Sequence, residues 1–287
     1  MPGLYLYENK QLLVRENRRV FMKIKNFLEK AKYSIWIPKN ISSLPSLERA
    51  TISDIFPLRH MNGWETHFEL LDTLGLISGD NSNPNGRTAQ LVFFDDAGSK
   101  LGEELIEIPR TGRKTVKLDP HFSSFVSNAS AFAVFHGERD KGVNLEGSYL
   151  AERGYTGYSR VGCDIRGYVH GNIDAIASAS GKIQSIGNQG LLPRNYNVQH
   201  PLRGPATYEF FISNPTPRTA LIKVLHGNIE GGWKETESFL LKSRGSKIFR
   251  IEKSDDEATF VRLRSHLYLC RPVVFRITQW RFDVFHG

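Results

Sequence analysis

The sequence predicts a mainly β fold, two tandem antiparallel β-sandwich units related by internal duplication behind one N-terminal amphipathic helix. Three observations predict it. Four sequence blocks recur in the same order, the recurring blocks alternate apolar and polar residues with period two, and helical periodicity is confined to the first fifty residues.

The helix comes first. Between Lys10 and Lys32, Val20, Phe21, Ile24, Phe27, Leu28 and Ala31 fall at helical spacing. Residues 1–50 hold ten Lys or Arg and four Glu, a net of +6; the chain totals +8, so the remainder carries 28 cations against 26 carboxylates, a net of +2. The basic excess is therefore local. The stripe predicts a helix packed by Phe21, Ile24 and Phe27, with Arg15, Arg18, Lys23 and Lys25 solvated. The same cations, with Arg19, make this helix the expected contact for an anionic polymer such as nucleic acid, a reading that ranks behind packing.

The first sandwich unit is expected over 51–144 and the second over 203–287. Arg87-Thr88-Ala89 opens one apolar strand and Arg218-Thr219-Ala220 another. Ile106 to Leu118 matches Phe239 to Ile251, each a strand that reaches a Gly and leaves it as an alternating strand. Thr66 to Leu71 matches Thr207 to Ile212, both after Pro-Leu-Arg (57–59 and 201–203), and Ala131 to Phe135 matches Pro272 to Arg276. Sheets that alternate in this way have one apolar face and require cover. Asp95 to Ser99, Arg110 to Gly112 and Asn228 to Gly232 carry turn chemistry, and Gly75 to Gly86 reads as an exposed loop.

Residues 145–202, between the copies, are expected to be a Tyr/Gly/Arg-rich segment and connection. Candidate ligand-binding residues are Arg153, Tyr155, Tyr158, Arg160, Arg166, Tyr168, His170, Asn172 and Asp174. Tyrosines offer planar faces to a sugar, Arg, Asn and Asp hydrogen-bond hydroxyls, and Gly lets a ligand approach the backbone. The competing reading is a strand and hairpin with Tyr buried and Gly at bulges. For catalysis the candidates are His170 as acid or base with Tyr155, Tyr158 or Glu152, and Arg153 or Arg160 clamping an anion.

Four His-Gly pairs (136–137, 170–171, 226–227, 286–287) each end an apolar strand pattern. His136 and Glu138 share the spacing of two ligands on one side of a strand and are weak metal candidates, with His170 or His200 as a third. No cofactor is expected. Gly-x-Ser-x-Gly, the P-loop and a strand-linked Gly-x-Gly-x-x-Gly are missing, and Cys163 sits beside Asp164, which disfavours its thiolate. Two distant cysteines exclude a four-cysteine zinc site and point to a cytoplasmic protein. No apolar run reaches the length of a membrane span, and no signal peptide is expected.

The leading expectation is a non-catalytic recognition or assembly module that binds a saccharide or protein surface at the junction of two sandwich units, with homo-oligomerisation left open. The alternatives are an enzyme acting on a sugar or other polar small molecule through His170, Tyr155 and Arg153, and anionic-polymer binding through the basic helix.

Overall fold

The computed structural model describes residues 51–73, 87–109, 112–118, 124, 126–136, 150–152, 154–163, 165–171, 176–179, 182–228, 232–268 and 270–287, all within the compact unit 40–287. The expected basic helix and the 75–86 loop lie outside the described residues, as do Glu138, Arg153, Asn172 and Asp174.

The described residues form twenty strands in five four-stranded sheets. In order across each sheet, one holds β2 (Phe56–Pro57), β7 (Ala131–His136), β4 (Arg87–Phe94) and β5 (Lys100–Ile108). A second holds β6 (Arg113–Leu118), β3 (Trp64–Leu71), β9 (Tyr155–Arg160) and β10 (Gly167–His170). The third, β13 (Gln189–Asn197), β18 (Phe260–Leu267), β15 (Ala220–Gly227) and β16 (Trp233–Leu241), copies the order of the first. The fourth, β17 (Ser246–Lys253), β14 (Ala206–Ser213), β19 (Val273–Ile277) and β20 (Phe282–His286), copies the second. The fifth is β12 (Lys182–Ser185), β11 (Ile176–Ala179), β1 (Thr51–Ser53) and β8 (Leu150–Glu152), with β1 and β8 parallel.

The fold is thus mainly β and repetitive, but the expectation of two sandwich units is corrected: the strands sort into five small, blade-like sheets. Strand β7 shows why. Phe132 and Val134 pack into one core with Phe68 of β3, while Ala131, Ala133 and Phe135 pack on the other side with Ile176 of β11 and Phe211 and Phe275 of the second repeat. A strand buried on both faces is a continuous apolar run, which Ala131 to Phe135 is; a two-layer sandwich has no such inner layer. The second repeat has its own core, in which Phe210 of β14 stacks on Phe249 of β17 at 4.6 Å among Ile222, Val224, Leu263 and Val274.

Hydrogen-bond register also refines the repeat. Leu118 pairs with Thr66 and Ile251 with Tyr208, so Thr66 corresponds to Tyr208, one residue away from the match read in the sequence. By sheet position β7 corresponds to β18, and β19 to β9; the match of Ala131–Phe135 to Pro272–Arg276 is therefore displaced by a strand. Strands of similar apolar composition align equally well in sequence, and only pairing separates them. It follows that β9 and β10, inside the supposed connection, are repeat strands whose partners are β19 and β20.

A predicted turn supplies part of the joint between repeats. Asp95 caps the β4–β5 hairpin by accepting from Ser99 N–H at 2.7 Å. Gly98 there has φ +85°, and a Cβ on it would lie 2.1 Å from the Ser243 carbonyl, so only Gly fits. The Asp96 carbonyl accepts from Ser246 N–H at 2.9 Å.

Candidate functional site

Cross-strand partners share a face of a sheet, so the side of the β3 sheet turned away from its core can be read from pairing. Strand β3 contributes Glu65, His67 and Glu69; β6 adds Lys117 and Thr115, β9 adds Ser159, Gly157 and Tyr155, and β10 adds Tyr168 and His170. The equivalent face of the second repeat, with Glu209, Phe211, Val273 and Phe275, is buried. In the first repeat it is open. Tyr155 is 56 % exposed and Tyr168 45 %.

The polar groups on this face are organised into two clusters, one around Glu65 and one around Glu69. Lys117 Nζ donates to Glu65 Oε1 at 2.5 Å, and Thr115 Oγ1 donates to Glu69 Oε2 at 2.8 Å. The Lys117 ammonium holds the Glu65 carboxyl below the ordinary carboxylate range. Tyr168 OH donates to Glu69 Oε1 at 3.4 Å, and Ser159 Oγ stands 3.5 Å from His67 Nε2. Burial, aided by the charge of Arg166, lowers the His67 pKa and keeps that ring neutral near pH 7. The Tyr168 ring leans across Gly157, where any Cβ would come within 2.7 Å of its Cε1. Glycine at 157 is thus what lets an aromatic ring lie down on the sheet.

The structure brings Tyr155, Tyr168 and His170 together. The Tyr155 and His170 rings meet edge-on with centroids 6.3 Å apart. Tyr158 points the opposite way: it is fully buried, its OH donates to the Pro57 carbonyl at 2.8 Å, and burial pushes its phenol pKa up. Arg160 shares that opposite face, its guanidinium 4.9 Å from the Trp64 ring. Arg166 is exposed beside the open face, and Glu152 ends β8 in another sheet. His136 is buried at the end of β7. Among the described residues no group of three or more His, Cys, Asp or Glu could hold a metal ion. Among the described residues no helix is long and apolar enough to cross a membrane.

Sequence reading missed Glu65, His67, Glu69 and Lys117. Their period-two spacing was visible, but their meeting with Tyr155 and Tyr168 depends on the pairing of β3 with β9, about ninety residues away in sequence. No protein-family model matches the chain, and no curated protein matches it significantly.

Proposed function

We propose that this protein is a non-catalytic recognition module that binds a saccharide on the open face of the β3 sheet. The ligand lies on one face of the first repeat, away from the junction between units that the sequence suggested. The observation that carries the reading is the Tyr168 ring laid over Gly157 beside exposed Tyr155, with Glu65 and Glu69 across the same face. Aromatic rings supply apolar contact to the C–H face of a sugar, and carboxylates held by Lys117 and Thr115 retain acceptor sites for its hydroxyls. A shallow, polar, prearranged surface limits the ordering cost of binding.

The arrangement favours binding over turnover. His170 Nδ1 lies 2.8 Å from the Gly171 carbonyl, and Tyr155 meets the imidazole edge-on rather than through a hydrogen bond, so these two groups form no proton relay with each other.

Titration calorimetry against a panel of neutral and amino-sugar oligosaccharides tests the proposal. Tyr168→Ala is expected to weaken binding about tenfold, in keeping with ~0.5–1.5 kcal/mol for an aromatic contact, and Tyr155→Ala by a smaller factor, both with unchanged melting temperatures. Absence of binding across the panel, or affinities untouched by both substitutions, overturns it.

A further inference from the structure

A second concave feature lies on the opposite side of β3, where the repeats meet. Arg59, Trp64 and Arg160 of the first repeat face Glu209, Arg250 and Ile277 of the second across a cleft of about 260 Å³. Three guanidiniums and one carboxylate line it, a net of +2, and Glu252 Oε1 stands outside the lining 3.8 Å from Arg250 Nε.

The lining carboxylate is fully committed. Glu209 Oε2 accepts from Arg59 at 2.6 Å and Oε1 accepts from Arg250 at 2.5 Å. Arg160 has no carboxylate partner among the described residues; its guanidinium rests on Trp64. Arg59 lies beneath them with its side chain 3 % exposed, pinned between the Trp64 and Phe275 rings at 4.7 Å from each. Its Nε and Nη1 are buried with no hydrogen-bond partner among the described residues. Burial lowers the Arg59 pKa, Arg160 adds repulsion, and Glu209 offsets only part of this. The cleft thus carries more positive charge than its own carboxylate neutralises, with Arg59 buried at its base and Arg160 and Arg250 exposed at its mouth.

We propose that this cleft binds a small oxyanion of the phosphate or sulfate class. Arg160 and Arg250 hold its oxygens from the mouth with charge-assisted hydrogen bonds, and Arg59 supplies positive potential from beneath. The volume admits a tetrahedral oxyanion with a few attached atoms. Trp64 and Ile277 wall it with apolar surface, which strengthens the electrostatic attraction relative to open water. Because the residues come from both repeats, the bound anion also bridges the joint. This inference is independent of the saccharide face, from which it is separated by the thickness of the β3 sheet.

Thermal unfolding of the full chain in inorganic phosphate, in sulfate, and in chloride at matched ionic strength tests it. Phosphate or sulfate is expected to raise the melting temperature saturably, and chloride is not. Arg160→Gln, a change at an exposed side chain, is expected to shift the half-saturating concentration upward at least tenfold while leaving the anion-free melting temperature near that of the wild type. Arg264→Gln, on a distant exposed strand face, retains the wild-type response. If chloride matches phosphate and sulfate, or if Arg160→Gln keeps the wild-type half-saturation, the proposal is wrong.

Discussion

Thr66 and Tyr208 occupy the same position in the two repeats and perform one task with different side chains. Thr66 Oγ1 accepts from Arg59 N–H at 2.8 Å and donates to the Arg59 carbonyl at 2.7 Å. Tyr208 OH accepts from Arg203 N–H at 3.0 Å and donates to the Arg203 carbonyl at 2.7 Å. Each hydroxyl ties down the backbone of the Pro-Leu-Arg that precedes its strand, which gives the recurrence of that tripeptide a physical reason. Thr66→Val removes the hydroxyl and leaves two buried backbone groups unpaired, so it should destabilise by ~1–3 kcal/mol in urea unfolding, whereas Thr66→Ser should recover most of the loss. Equal stability of the Val and Ser variants would contradict this account.

At the scale of elements, the ends of β10 and β20 meet through corresponding residues. His170 and His286 close the last strand of their repeats, and their ring nitrogens approach to 3.3 Å. Burial, with Arg271 and His170 nearby, lowers the His286 pKa to about 4. The unfolded chain binds this proton near the ordinary histidine value of ~6.5. It therefore holds more protons than the folded state between the two values, and stability falls as pH drops from about 6.5 toward about 4. Urea midpoints measured at pH 7.5 and pH 5 should diverge less for His286→Gln than for the wild type; identical losses would remove His286 from the account.

The same scale shows what the sequence could convey. Strand positions were legible, because Trp64, Thr66, Phe68 and Leu70 alternate with Glu65, His67 and Glu69. Alternation puts Tyr155 and Tyr158 on opposite sides of a strand, yet the sequence reading grouped both with Tyr168 as ligand-binding candidates, and Tyr158 is buried. Register was not legible. The displaced match of Ala131–Phe135, and the treatment of β9 and β10 as an insertion, both arise because β-strand periodicity is local while pairing is not. The site was half legible for the same reason: its rings were named, and its carboxylates on β3 were not.

For the whole molecule, the decisive feature is the shared face of β4 and β7. By register, Val92, Ala131 and Ala133 of the first repeat correspond to Lys223, Arg262 and Arg264 of the second. The first trio is buried in the joint, while Arg264 is exposed and Lys223 and Arg262 are half-buried. The duplicated unit thus presents one face as an apolar seat and the same face elsewhere as a charged surface, on which Lys223 pairs with Glu235. The open face with Tyr155 and Tyr168 shows the reverse pairing, since its counterpart in the second repeat is the other half of the joint.

Such a joint is head-to-tail, and head-to-tail contacts propagate unless something stops them. On the second repeat the face that corresponds to the apolar seat carries Lys223 opposite Arg264, with Glu235 Oε2 accepting from Lys223 Nζ at 2.8 Å. Burying these charged groups against an apolar face costs more than burying Val92 and Ala133 does, so they disfavour the seating of a further copy there. Restoring the first-repeat residues, as Lys223→Val with Arg262→Ala and Arg264→Ala, should make the molecule self-associate, seen as faster, concentration-dependent sedimentation relative to the wild type. Unchanged sedimentation would show that growth is blocked elsewhere.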